Sequence, residues 1–167
     1  DKKVPKKLGS RHPSISPFEC YKCKDDYIVI AAGNDALFKK LCLALKTKDL
    51  GKNSLFLSND LRLTNADLLK KLIENILSSK TSKYWIKKIE HHGVPVGKVN
   101  NIKESLELEQ VKVRNMLVDV KLNKNNRLKV AGNPIKISGF NDPKIRKKAP
   151  FLDENRESVL KDFKIKE

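Results

Sequence analysis

Residues 18–45 constrain the fold more than any other part of the chain. Phe18-Glu-Cys-Tyr-Lys-Cys23 is followed by a polar turn, Lys24-Asp25-Asp26, and then by a β-prone run, Tyr27-Ile-Val-Ile-Ala-Ala32. Gly33 ends that run. Asn34 is placed to cap a helix by accepting a backbone N–H, and Asp35 falls in the first turn, where the helix dipole favours an anion. Leu37, Phe38, Leu41, Cys42 and Leu45 then recur at helical spacing. The stretch predicts a hairpin that passes through one glycine into an amphipathic helix. The apolar stripe of that helix must cover the sheet.

With 167 residues, the chain has enough length for one domain and one ordinary hydrophobic core. An apolar share of 39% beside a charged share of 34% is polar for a globular protein but not disordered in composition. No apolar run approaches the roughly 20 residues that a helical bilayer span needs. The start, Asp1-Lys-Lys-Val-Pro-Lys-Lys7, has no apolar core and no Met, so it reads as a trimmed chain without a signal peptide. Cys20, Cys23 and Cys42 make no disulfide framework, and reduced thiols in the cytoplasm are the simpler expectation. Cys20 and Cys23 have C-x-x-C spacing but lie in a strand-like run, where positions an odd number apart face opposite ways; no metal site is expected.

The formal net charge of +16 fits either a polyanion-binding face or a lysine-rich surface without a specific partner. Arginine, the residue that forks onto phosphates and guanine edges, occurs only at Arg11, Arg62, Arg114, Arg127, Arg146 and Arg156. The lysines are spread over the whole length. Specific nucleic-acid recognition is therefore not expected, although sequence-indifferent binding at low salt is.

Along the chain, residues 1–17 form a basic lead-in and a turn-rich loop, Gly9-Ser-Arg-His-Pro13. A plain connector is the first reading of that loop; an approach to an anionic ligand by Gly9, Arg11 and His12 is the second. After the first helix, Ser58 and Thr64-Asn65 offer caps for a short helix and then a longer one near 66–78. Thr81 caps a further helix, carrying Trp85 toward the core and Tyr84 at its rim and ending at Gly93. His91 and His92 sit at its C-terminus, where imidazolium is favoured, and point about 100° apart, which suits capping better than metal ligation. Residues 93–100 read as an extended connector, and 101–108 and 109–115 as helices. Residues 116–122 and 127–131 read as a hairpin, with an Asn-rich turn at 123–126 suited to positive φ. The strand resumes at 135–137. Residues 142–150 read as a basic loop, and a last helix starts near Asn155. Nucleotide-binding glycine motifs and a distinguishable Ser–His–acid set are absent.

Several stretches, in collinear order, resemble one family. Leu8-Gly-Ser-Arg-His-Pro-Ser-Ile-Ser-Pro-Phe18, Asp26-Tyr-Ile-Val-Ile-Ala-Ala-Gly-Asn-Asp35, Gly93-Val-Pro-Val-Gly-Lys-Val-Asn100, Val113-Arg-Asn-Met-Leu-Val118, Gly132-Asn-Pro-Ile-Lys-Ile-Ser-Gly139 and Ala149-Pro150 are similar to the C-terminal portion of class III CoA-transferases, the formyl-CoA transferase-like or CaiB/BaiF group. The resemblance implies an α+β fold, with a small antiparallel sheet covered by helices. It implies a small domain over 18–140, and a loop and helix over 141–167 that pack on a large domain. That large domain carries the catalytic aspartate and most contacts to coenzyme A or acyl-CoA, which are substrates and not covalently bound cofactors. No residue of this chain inherits a catalytic role, and Asp25, Asp26 and Asp35 stand outside the matching motif. The expected partner is an N-terminal CoA-transferase half or a second copy in a homodimer, joined through exposed apolar surface. The chain is expected to be inactive alone; a non-catalytic relic or a basic polyanion-binding module is the alternative.

The family carries a glycine-rich loop over the reactive aspartate at the position of residues 9–13. Here Gly9 keeps the glycine, and Ser10, Arg11, His12 and Pro13 complete the loop. The resemblance implies that it excludes water from an acyl intermediate, with Arg11 or His12 able to meet the acyl oxygen. Near the end the pattern is Leu-Gly-Glu-His-Thr, whereas this chain has Leu152-Asp-Glu-Asn-Arg156. Asp153 thus replaces a glycine, at a cost of about 1 kcal/mol if φ is positive there.

Overall fold

A computed structural model describes Val4 and residues 7–165. Most of the basic lead-in therefore lies outside the described residues. The chain forms two compact units, Asp1–Val99 and Asn100–Glu167.

The first unit is built on the expected hairpin. Strands β1 (Phe18–Lys22) and β2 (Tyr27–Ala31) pair antiparallel, with Phe18 opposite Ala31 and Lys22 opposite Tyr27. The turn closes where Cys23 N–H donates to Asp26 O at 2.8 Å. Ile28 and Ile30 alternate inward and are fully buried. Strand β3 (Val96–Lys98) pairs antiparallel with β2 from Ile28↔Lys98 to Ile30↔Val96, giving the order β1-β2-β3. The segment read as a connector thus holds the third strand. Pro95 obscures it in the sequence but fits an edge, because its carbonyl still accepts from Ala31 N–H at 3.0 Å.

Helix α1 (Asp35–Ala44) starts as expected, with Asn34 Oδ1 accepting from Leu37 N–H at 2.8 Å. Phe38, Leu41, Cys42 and Ala44 turn inward. Two short 3-10 turns, Leu50–Lys52 and Ser54–Phe56, lead to α2 (Asn59–Thr64) and α3 (Ala66–Leu77). Ser58 caps α2. Asn65 does not cap α3: its amide donates to Leu55 O and Leu61 O, closing α2 from behind. Helix α4 (Ser82–His91) is capped by Thr81, buries Trp85 and Ile89, and is followed by Gly93 at φ 70°. Trp85 Nε1–H donates to Leu77 O at 2.8 Å, and Tyr84 stays half exposed. Side chains from α1, α3, α4 and the sheet meet in one core, from Tyr21 to Val94. Each large one contributes about 1.5–3 kcal/mol by leaving water.

The second unit begins with α5 (Ile102–Glu107), which has a capping box made by Asn101 and Glu104, and α6 (Glu109–Val113). Strands β4 (Leu117–Lys121) and β5 (Arg127–Ala131) form the expected hairpin. None of the turn residues 123–126 takes positive φ; Asn123 Oδ1 instead accepts from the N–H groups of Asn125 and Asn126. Residues 135–137 are not a strand. Asn133 Oδ1 takes up Ile135 N–H at 3.0 Å and turns the chain away. The third strand is β6 (Ile145–Lys147), inside the segment read as a loop, and it pairs parallel with β4. A parallel partner arrives through a long connection, so no hairpin signal announces it. Gly132 makes this corner possible: a Cβ there would lie well inside contact distance of the Asn115 carbonyl. Helix α7 (Arg156–Asp162) follows Asp153, whose φ is 64°.

Candidate functional site

The loop over residues 9–13 is fastened to β1 by its own side chains. Gly9 turns at φ 64°. Ser10 Oγ accepts from Cys20 N–H at 3.1 Å, and His12 N–H donates to Phe18 O at 2.9 Å. The His12 ring stacks on Phe18, with centroids 5.2 Å apart and planes 9° from parallel. Its Nδ1 accepts from Ser14 N–H at 3.2 Å, which leaves Nε2 without a partner among the described residues. Pro13 is exposed.

Arg11 is the centre of a charge cluster. Its Nε donates to Glu19 Oε1 at 3.0 Å and a terminal nitrogen to Asp67 Oδ1 at 2.7 Å. Lys70 Nζ reaches the second oxygen of Glu19 at 2.6 Å and Cys20 O at 2.8 Å. Glu19, only 4% exposed, is thus a buried carboxylate held between two cations. The Arg11 guanidinium also holds the Asp67 carboxyl below its ordinary value. Of the two residues expected to reach an acyl oxygen, Arg11 already serves two carboxylates, while His12 offers a ring nitrogen.

Arg62 was not singled out in the sequence, yet it organises the ground beneath the loop. It is fully buried. Nε donates to Ser16 O at 2.7 Å, one terminal nitrogen to Phe56 O at 3.1 Å, and the other to Asp35 Oδ1 at 2.7 Å. Its guanidinium carbon lies 4.7 Å from the centroid of Phe38. The available signal was an arginine between Leu61 and Leu63 in a lysine-rich chain.

The remaining acids and thiols have local work. Asp25 accepts from Ser82 N–H at 2.7 Å, which holds its carboxyl below the ordinary value. Asp26 pairs with Lys98 at 3.5 Å, and Asp35 with Arg62. Burial pushes the thiols of Cys23 and Cys42 up to about 11, so both stay protonated at neutral pH. At the end of α4, His92 Nδ1 lies 2.9 Å from Lys88 O, and its ring meets His91 edge-on.

The sequence profile of CoA-transferase family III matches residues 1–156. An acetyl-CoA:oxalate CoA-transferase of Acetobacter aceti is 38% identical, with 96% of this chain covering 40% of that protein. A human succinyl-CoA:glutarate CoA-transferase is 33% identical, with 96% covering 36%. The chain thus spans well under half the length of these relatives. A crystal structure of a CaiB/BaiF family protein from Brucella suis superposes with a TM-score of 0.74 at 28% identity, over 96% of this chain and 41% of the other. A variant of a Mycobacterium tuberculosis protein, 21% identical, shares the fold with a TM-score of 0.76 over 87% of this chain and 39% of the other. The chain belongs to CoA-transferase family III and corresponds to the C-terminal portion of its longer members.

Proposed function

We propose that this chain is the accessory part of an enzyme that moves CoA between an acyl-CoA and a carboxylic acid. The chemistry runs through an aspartyl intermediate on a preceding large domain, supplied as an N-terminal half or by a homodimer partner. The observation that carries this reading is the family match over residues 1–156. The loop over residues 9–13 then closes over the intermediate, and His12 Nε2 presents itself to the acyl oxygen, while Arg11 fixes the loop to Glu19 and Asp67. Short dicarboxylates are the preferred acceptors, by analogy with the oxalate and glutarate in the names of two relatives. The exposed apolar side chains of the second unit, among them Phe140, Phe151 and Phe163, are the surface that the large domain covers, with the segment 141–167 docking on it. Three unpaired thiols suit the reducing cytoplasm. The chain is inactive alone.

The test is a CoA-transfer assay on the purified chain, with and without a co-expressed N-terminal half of a relative. Activity should appear only in the mixture and fall when His12 is replaced by Ala. Transfer by the chain alone, or none in a folded mixture, would overturn the proposal. The competing reading, a non-catalytic relic or basic polyanion-binding module, predicts no transfer in either case.

A further inference from the structure

The sheet of the second unit carries two neighbouring rows of side chains on one face, because residues in register project the same way. One row is Lys129–Asp119–Ile145, and Lys129 pairs with Asp119 at 3.4 Å. The next is Arg127–Lys121–Lys147, three cations in register with no acid between them. Like charges set directly opposite are destabilising, so this row stands at a local electrostatic cost that an anion would relieve.

Lys121 and Lys147 open into a cleft of about 530 Å³, which Lys124 and Lys148 also line, with Ile145 and Pro150 among its apolar walls. One carboxylate, Glu154, reaches the cleft, but it is engaged by Phe151 N–H at 2.6 Å and Lys148 at 3.4 Å. Arg146, the arginine on the wall, donates to Asp142 at 2.9 Å. What faces the cleft is therefore a set of lysine point charges and not a free guanidinium fork. That favours phosphate over a planar carboxylate, and a volume of this size suits more than one phosphoryl group.

We propose that this cleft is a binding site for a phosphate chain, held mainly by Lys121 and Lys147 with Lys124 at the mouth. This site does not depend on the CoA-transfer reading and lies wholly within the second unit.

Isothermal titration of the intact chain with pyrophosphate at low salt tests it. Pyrophosphate should bind one to one and more tightly than orthophosphate. Lys121→Gln and Lys147→Gln should each weaken it about tenfold, the worth of one charge-assisted contact. Lys129→Gln, in the row already compensated by Asp119, should leave it within about twofold. Thermal melts give an independent readout: Lys147→Gln should melt higher than wild type without anion and lose the shift that pyrophosphate produces. Equal affinity for ADP and pyrophosphate assigns a free phosphate chain, and tighter ADP binding a nucleotide; either upholds the site. Unchanged pyrophosphate affinity in both variants overturns it, as does equally tight binding of polyglutamate, which would make the row a docking face for acidic protein.

Discussion

The two units obey the same local rules and end in different states. In the first, the apolar positions of three helices and three strands converge, and Ile28, Ile30, Leu41, Ile73 and Ile89 are wholly buried. In the second, Val118 is the buried hydrophobic among the described residues, while Phe140, Phe151 and Phe163 are about three-quarters exposed. Caps, strands and turns form in both. The difference is that only the first unit has enough apolar faces to close on one another. Local propensity specifies elements; stability comes from the faces that meet.

The strongest way to break that comparison is Arg62→Ala. It leaves Asp35 without its partner and two buried carbonyls without donors. The expected loss is about 3–5 kcal/mol, from the two unsatisfied carbonyls and the volume removed, since the Asp35 side chain is 56% exposed. Arg62→Met keeps the volume over Phe38 and should lose less. Because Trp85 is the chain's one tryptophan, its fluorescence during urea unfolding reports on the first unit alone. Equal loss in both variants would show that hydrogen bonding, not packing, is what Arg62 supplies.

A matched pair of core truncations sharpens the contrast. Ile89→Ala, inside the large cluster, should destabilise the first unit by about 2–5 kcal/mol. Val118→Ala removes less surface, in a unit that holds no comparable cluster, and should cost about 1–2 kcal/mol. Tryptophan fluorescence follows the former and backbone amide exchange the latter. Similar costs would mean that the second unit is more cooperative than its exposed side chains suggest.

The first unit was the more legible in sequence, for the same reason that it is the better packed. Its strands and helices are nearest neighbours in the chain, so period-two and period-3.6 patterns and caps such as Asn34, Ser58 and Thr81 announce them. Its third strand escaped because Pro95 and Gly97 suppress strand propensity and an edge tolerates both. In the second unit, Ile135 and Ile137 mimic a strand, while β6 reads Ile-Arg-Lys and owes its pairing to β4. The loop at residues 9–13 was legible as a turn from Gly9 and Pro13, but a place over the reactive aspartate came only from the family resemblance. Its anchors Glu19 and Asp67 stand 8 and 56 positions from Arg11, and no local pattern encodes the more distant partner.

Acid titration separates the units by another route. Lys136 first, then Asn115 and Arg146, hold the Asp142 carboxyl below its usual 3.8. The unfolded chain therefore takes up that proton first. The contribution is fully present above 3.8 and is lost as pH falls through the folded value. Asp142→Asn should flatten the acid limb seen by circular dichroism or NMR in the second unit and leave Trp85 fluorescence unchanged. A fluorescence change of equal size would mean that the two units unfold together.

The smallest effect concerns Asp153, at φ 64° before α7. A non-glycine residue there pays a steric penalty that glycine escapes, although aspartate tolerates it better than most. Against this stands an exposed ion pair with Arg156 at 3.7 Å, worth little in water. Asp153→Gly should therefore raise stability by about 0.5–1 kcal/mol. In the first unit Lys46 holds φ 57° just after Leu45, where a helix commonly ends in glycine. Lys46→Gly should gain a similar amount, because the strain belongs to one residue's backbone and not to the core around it. If Lys46→Gly gains and Asp153→Gly loses, as read from paired urea melts, the turn before α7 is held by its side chain, and the second unit relies on surface contacts that the first does not need.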